Sequence, residues 1–221
     1  MRYKIIPYQE DKVGFVRRMN SLFFNRGLSG LHWLHNLSGE QYDELFKVGS
    51  DSSTIFHKAF YDKYREGWDS MVETYETFIH IIIAPLFDED FLYQRFPTAR
   101  FHLPMNLAVG DFHTDAEFHH PVGEINFIIP LTDSDATACP LIESEPGKND
   151  FESIPLRVGK LVQFNGNQLR HGNLQNRTGL TRVSLDFRVL PISKYNPDMA
   201  ASSITQKTKF VEGSYYKRFT K

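Results

Sequence analysis

The stretch "TRVSLDFRV", Thr181 to Val189, alternates without a break. Val183, Leu185, Phe187 and Val189 fall on one side, and Arg182, Ser184, Asp186 and Arg188 on the other. A period of two belongs to a strand with one buried apolar face, because successive side chains point to opposite sides of the pleat. Such a strand needs paired neighbours and a layer against its apolar face. Two further runs repeat the pattern. "ARFHLPMNL" sets Phe101, Leu103, Met105 and Leu107 against Arg100, His102, Pro104 and Asn106. "GEINFIIPL" sets Ile125, Phe127 and Ile129 against Glu124, Asn126 and Ile128. Turn-forming clusters ("TDSD", "EPGKND", "FNGNQ", "NRTG") separate the runs. The pattern predicts an antiparallel β-sandwich or barrel over residues 93–190.

The first 92 residues read as mainly helical. "LSGEQYDELFKVG" opens with Ser38 and Gln41 at capping-box spacing and carries Tyr42, Leu45 and Phe46 at helical spacing. Trp68 to Phe87 is the longest helix candidate, and Pro85 ends it. After Pro191 the chain is polar and mixed, but the aromatics of "FVEGSYYKRFTK" predict that the extension over 191–221 docks. Helices followed by strands give an α+β plan, with helices packed outside a barrel-like core, and 221 residues fit one domain. The polar strand faces look either at solvent or into a pocket inside the barrel, and the pattern alone leaves both open.

Composition narrows the partners. A net charge of −2 and a pI near 6.5 point away from nucleic acid and from anionic membrane surfaces. The single cysteine, Cys139, excludes an internal disulfide and fits a reducing compartment as a small buried residue. The opening "MRYKIIPYQEDK" has no long apolar run, so neither signal peptide nor anchor is expected there. The expectation is a cytoplasmic protein with a small-molecule substrate, and a homo-oligomer is compatible with it.

The chemistry concentrates in "GDFHTDAEFHHPVGE", Gly110 to Glu124, with three histidines and four acids. Read as an extended strand, His113, Asp115, Glu117 and His119 share one face. His113 and His119 would then stand about 20 Å apart, whereas His113 and Asp115 are about 7 Å apart and can converge on one ion. His-x-Asp is the local pair, and His171, after a Gly/Asn turn, is the candidate third ligand. Two histidines and one carboxylate make a facial triad with open positions. That set suits non-haem Fe(II) working on oxygen rather than a closed structural zinc site; a zinc hydrolase with this ligand set stays open, although HExxH and Cys-rich patterns are absent. Further on, Arg182 and Ser184 share a strand face and offer a cation and a hydroxyl to the far end of a dicarboxylate. A buried arginine otherwise needs a carboxylate such as Asp186.

His113-x-Asp115, His171 and Arg182-x-Ser184 together resemble the Fe(II)/2-oxoglutarate-dependent oxygenases. Residues 95–190 carry the likeness. "FNGNQLRHGNLQNRTGLTRVSLDFRV" and "ESEPGKNDF" are similar to bacterial oxygenases of carbohydrate and streptomycin-type biosynthetic clusters. The resemblance implies a double-stranded β-helix (jelly-roll, cupin-like) core with helices outside. It implies Fe(II) on His113, Asp115 and His171, with 2-oxoglutarate and O2 as cosubstrates. Arg182 and Ser184 would hold the C5 carboxylate of 2-oxoglutarate, and Asn126 is a further candidate contact. Glu117 and His119 at the barrel mouth, with His102 on the preceding strand, are candidate substrate contacts. His32, His35, His57 and His80 read as packing or surface histidines. The implied activity is hydroxylation or other oxidation of a small polar metabolite, with sugars, aminoglycosides and nucleotide-linked sugars favoured. The alternatives are an amino-acid or peptide hydroxylase of the same fold and a non-catalytic cupin-like metal- or sugar-binding protein.

Overall fold

A computed structural model describes residues 2–34, 54–107, 111–199, 201–202 and 208–221. The chain opens with strand β1 (Tyr3–Pro7), helices α1 (Glu10–Val13) and α2 (Phe15–Leu22), and a 3-10 turn at Leu28–Leu34. Helices α3 (Ile55–Arg65) and α4 (Asp69–Phe78) follow. The strands are β2 (Phe91–Gln94), β3 (Thr98–His102), β4 (Ile125–Pro130), β5 (Pro140–Ile142) and β6 (Glu152–Ser153), then β7 (Lys160–Phe164), β8 (His171–Asn173), β9 (Arg182–Pro191) and β10 (Tyr216–Phe219).

Two antiparallel sheets result. The larger runs β1-β7-β4-β9-β2-β10, with β3 also on β9, and the smaller runs β6-β5-β8. The ten-residue β9 is the spine: β4 lies along one edge while β3 and β2 share the other. Its apolar face packs on the helices, as Val183, Leu185, Phe187 and Val189 join one buried cluster with Phe15, Phe60 and Phe78. Phe187 lies parallel to Phe127 at 5.1 Å, and Tyr75 of α4 meets it edge-on at 5.5 Å. A second cluster, with Ile128, Val162 and Phe164 from the larger sheet and Ile142 from the smaller, fills the space between the sheets. The polar face of β9 looks into that same space. Arg182, Ser184, Asp186 and Arg188 all line a cavity there, so the pocket reading holds rather than the solvent one.

Several expectations shift. The helix predicted over 37–49, with Ser38 and Gln41, lies outside the described residues, as does His35. The N-terminal region is not wholly helical: β1 pairs with β7 and closes one edge of the larger sheet. The long helix divides into α4, a π-helical turn at Ile79–Ile83 and a 3-10 turn at Ala84–Leu86 that contains Pro85. Proline has no N–H for the helical ladder, so regular helix cannot run through it. "ARFHLPMNL" stays extended only to His102; Met105 then takes φ of 64° and is exposed, because the chain turns to cross to the other sheet. The C-terminal extension docks as expected. β10 pairs with β2, and Phe210, Tyr215 and Tyr216 bury against Leu92 and Leu190. No helix among the described residues is long and apolar enough to cross a membrane.

Candidate metal centre

His113 and His171 face each other across an antiparallel bridge. Each backbone N–H donates to the other's carbonyl, at 3.1 and 2.9 Å. Residues paired in this way project to the same side of the sheet, and the ring centroids stand 4.7 Å apart. Asp115 arrives by a different route. After His113 the chain leaves the extended path, the Asp115 N–H donates to the Gly166 carbonyl at 2.8 Å, and Asp115–Phe118 wind into a 3-10 turn. The ligand atoms of His113, Asp115 and His171 lie within 4.8 Å of one another, and they are the only such group of three or more among the described residues.

The hydrogen bonds suit metal binding. Nδ1 of His113 lies 2.9 Å from the Asp111 carbonyl, and Nδ1 of His171 lies 3.0 Å from the Leu169 carbonyl. A carbonyl only accepts, so each Nδ1 carries the proton and each Nε2 keeps a lone pair for an ion. Burial lowers the His171 pKa despite the opposing pull of Asp115, which favours the neutral imidazole a metal requires.

Asp115 is buried and clamped. Burial alone would raise its pKa, but the Arg188 guanidinium overrides this and holds the carboxyl well below the usual range. Arg188 Nε donates to Oδ2 at 2.8 Å and the terminal Nη2 to Oδ1 at 2.9 Å, a bidentate fork. Asn126 Nδ2 adds a bond to Oδ2 at 2.6 Å while its Oδ1 accepts from the Gly166 N–H at 3.0 Å. Gly166 has no room for a side chain, since a Cβ there would stand 2.7 Å from Asn126.

At the other end of the cavity Arg182 is buried, with Nη1 donating to Asn173 Oδ1 at 2.6 Å and to the Ala138 carbonyl at 3.0 Å. Ser184 donates to Asp186 Oδ1 at 3.0 Å, and Asp186 also takes Arg100 Nε at 3.0 Å. Ile128, Ile154, Leu156 and Phe164 supply the apolar wall between the two ends.

The structure thus brings His113, Asp115 and His171 together, and sets Asn126, Arg182 and Ser184 on the same cavity. It does not do so for the other candidates. Glu117 and His119 do not share a face with His113. The 3-10 turn swings both to the exposed side, and His119 closes it at φ of 66°. His102 is fully buried, paired across the strands with Arg182 and bonded through Nε2 to the Asn106 carbonyl at 2.9 Å. It is not among the residues that line the cavity. Cys139 is buried as expected, donating to the Ser134 carbonyl. Sequence reasoning missed the attachment of Arg188 to Asp115. The available signal was that Arg188 shares the face of Arg182 and Ser184, where any cation needs an anion.

No family model matches the chain. Among solved structures, SnoK, a non-haem α-ketoglutarate-dependent carbocyclase from nogalamycin biosynthesis, superposes with a TM-score of 0.57 at 13% identity. The superposition covers 99% of this chain and 92% of SnoK. EctD from S. alaskensis, solved with bound Fe, gives a TM-score of 0.47 at 14% identity, covering 87% of this chain and 73% of EctD. At such identity the likeness to SnoK concerns the fold. The class is therefore a mixed helix and antiparallel-sheet protein that shares its fold with SnoK and carries a converged His-Asp-His group. The chain is also 35% identical over 174 residues to the streptomycin biosynthesis protein StrG of Streptomyces griseus, across 79% of this chain and 81% of StrG. It belongs to the StrG family.

Proposed function

We propose that the protein is a single-domain Fe(II)/2-oxoglutarate-dependent dioxygenase on a double-stranded β-helix core. Its substrate is a small polar metabolite of the sugar, aminoglycoside or nucleotide-sugar class. One observation carries the reading: two imidazoles with free Nε2 atoms converge with a buried carboxylate, and both imidazoles line the same cavity as Arg182 and Ser184. His113, Asp115 and His171 would hold the iron. With 2-oxoglutarate and O2, bound Fe(II) supplies oxidative decarboxylation to succinate and carbon dioxide coupled to oxidation of a substrate C–H bond.

The chain's own residues do the rest. Asn173 and the Ala138 carbonyl orient the Arg182 guanidinium before any ligand arrives, so little side-chain entropy is lost on binding a carboxylate. Ser184 adds a hydroxyl that turns from Asp186 to the same carboxylate. Ile128, Ile154, Leu156 and Phe164 cover the methylene carbons of the cosubstrate and exclude water. That StrG is a streptomycin biosynthesis protein supports a polar, sugar-derived substrate. Succinate release from 2-oxoglutarate, measured with Fe(II) across sugars, aminoglycosides, nucleotide-sugars and amino acids, tests the reading. Succinate matched by an oxidised product from one of the first three classes is expected. Binding of Fe(II) without succinate from any of them would leave a metal-binding protein and overturn the proposal.

A further inference from the structure

Behind the candidate metal centre lies a buried polar cluster that reaches the C-terminal segment. Arg188 stands between two carboxylates, with Asp115 in its fork and Glu124 Oε2 3.8 Å from Nε. Glu124 is otherwise engaged: His120 Nδ1 donates to Oε2 at 2.7 Å, and the Tyr216 hydroxyl donates to Oε1. The remaining Arg188 nitrogen, Nη1, donates to the Tyr215 hydroxyl at 3.4 Å, which donates on to Gln94 Oε1 at 2.9 Å. Gln94 is in turn tied through Nε2 to the Phe96 carbonyl. The His120 ring packs on Phe210 at 4.4 Å, so the loop that carries Asp115 also rests on this segment.

The division of donors on Asp115 is uneven. Oδ2 takes two, from Asn126 and Arg188, while Oδ1 takes one and lies 3.9 Å from His171 Nε2. A planar guanidinium fork fixes the plane of the carboxylate it holds, and so fixes which oxygen turns toward the histidines. A lone cation between two anions has no such preference unless other donors occupy one of them. Here Tyr216 and His120 occupy Glu124, and Tyr215 holds the back of the guanidinium.

We propose that Arg188 is the positioning residue that presents Oδ1 of Asp115 to the metal, and that Tyr215 of the C-terminal segment holds Arg188 in that pose. The proposal rests on the metal reading above. Groups that orient metal ligands change affinity when removed, by about 10- to 100-fold. The test is titration of metal-free protein with Co(II) at 25 °C, followed by the visible Co(II) absorption, for wild type, Arg188→Lys and Tyr215→Phe, with thermal melts of each. Tyr215→Phe keeps the ring and its packing and removes only the hydroxyl.

The expected result is a Co(II) Kd raised about ten-fold or more in Arg188→Lys, with a shifted absorption band. Tyr215→Phe, acting one bond further away, should raise it about three- to ten-fold. A purely structural role would lower the melting temperature and leave Kd and spectrum unmoved. If wild type and both folded variants bind Co(II) within two-fold of one another, the inference is wrong while the metal reading stands. If wild type binds none, the metal reading itself is wrong. Should Arg188→Lys not fold, Tyr215→Phe decides alone.

Discussion

Replacing Asp115 with alanine should destabilise the protein even with no metal present. Asp115 is 2% exposed and Arg188 16%, so the substitution strands a guanidinium in a largely dry site. Breaking a buried pair by removing one partner costs about 3–5 kcal/mol. Glu124, 3.8 Å away, remains as a partial counter-charge, which argues for the lower end, about 3 kcal/mol. For a chain of this size that corresponds to a fall of about 6–12 °C in Tm. The assay is urea unfolding of chelator-treated protein at neutral pH. The pH choice follows from sign. The folded-state pKa of Asp115 is depressed, so the pair's contribution is complete above the ordinary aspartate range and fades only as pH falls through the folded value. Asp115→Ala combined with Arg188→Leu removes both charges and should recover at least half of the loss. A single variant within about 0.5 kcal/mol of wild type, or a double variant no better than the single, would refute the clamp as drawn.

Arg182→Ala should weaken 2-oxoglutarate binding about 10- to 100-fold in calorimetry while Co(II) binding survives, the loss expected of one charge-assisted anchor. If Arg100→Ala produces that loss instead, the anchor has been misassigned. Phe187→Ala, which empties the contact between α4 and the larger sheet, should cost about 3–5 kcal/mol in urea unfolding; a cost below about 1 kcal/mol would mean the helices are held elsewhere. Burial pushes His57 and His102 down to about 3, with Arg100 and Arg182 adding to the effect, so the unfolded chain binds more protons than the folded one as pH drops below about 6.5. Stability should fall by up to about 2.7 kcal/mol per pH unit from the two together between about pH 6 and about pH 4, and a flat urea midpoint over that range would contradict their burial as neutral rings. Glu117→Ala and His119→Ala should leave Co(II) and 2-oxoglutarate binding unchanged, since both side chains face outward; loss of metal in either would undo the ligand set.

What could be read from the chain alone was what local geometry dictates. Alternation in "TRVSLDFRV" follows from the pleat, so the buried face of β9 and the residue types on its polar face were legible without a fold. The same is true of His113 and Asp115, which are two residues apart and bear side chains that bind metals. Partners distant in sequence were not legible. Only the antiparallel bridge that sets His171 opposite His113 brings the second imidazole to the first. Only the turn at Asp115–Phe118 decides that Asp115 faces inward while Glu117 and His119 face out, because a 3-10 turn replaces the two-residue repeat with one of three. The pairing of charges was decided in the same way. Arg188 and Asp186 alternate on one strand face, yet Arg188 turns to Asp115 at the start of the 3-10 turn and Asp186 to Arg100 on the neighbouring strand. Strand periodicity fixes the side on which a charge stands. The counter-charge it meets depends on strand order, register and burial, which belong to the folded chain as a whole.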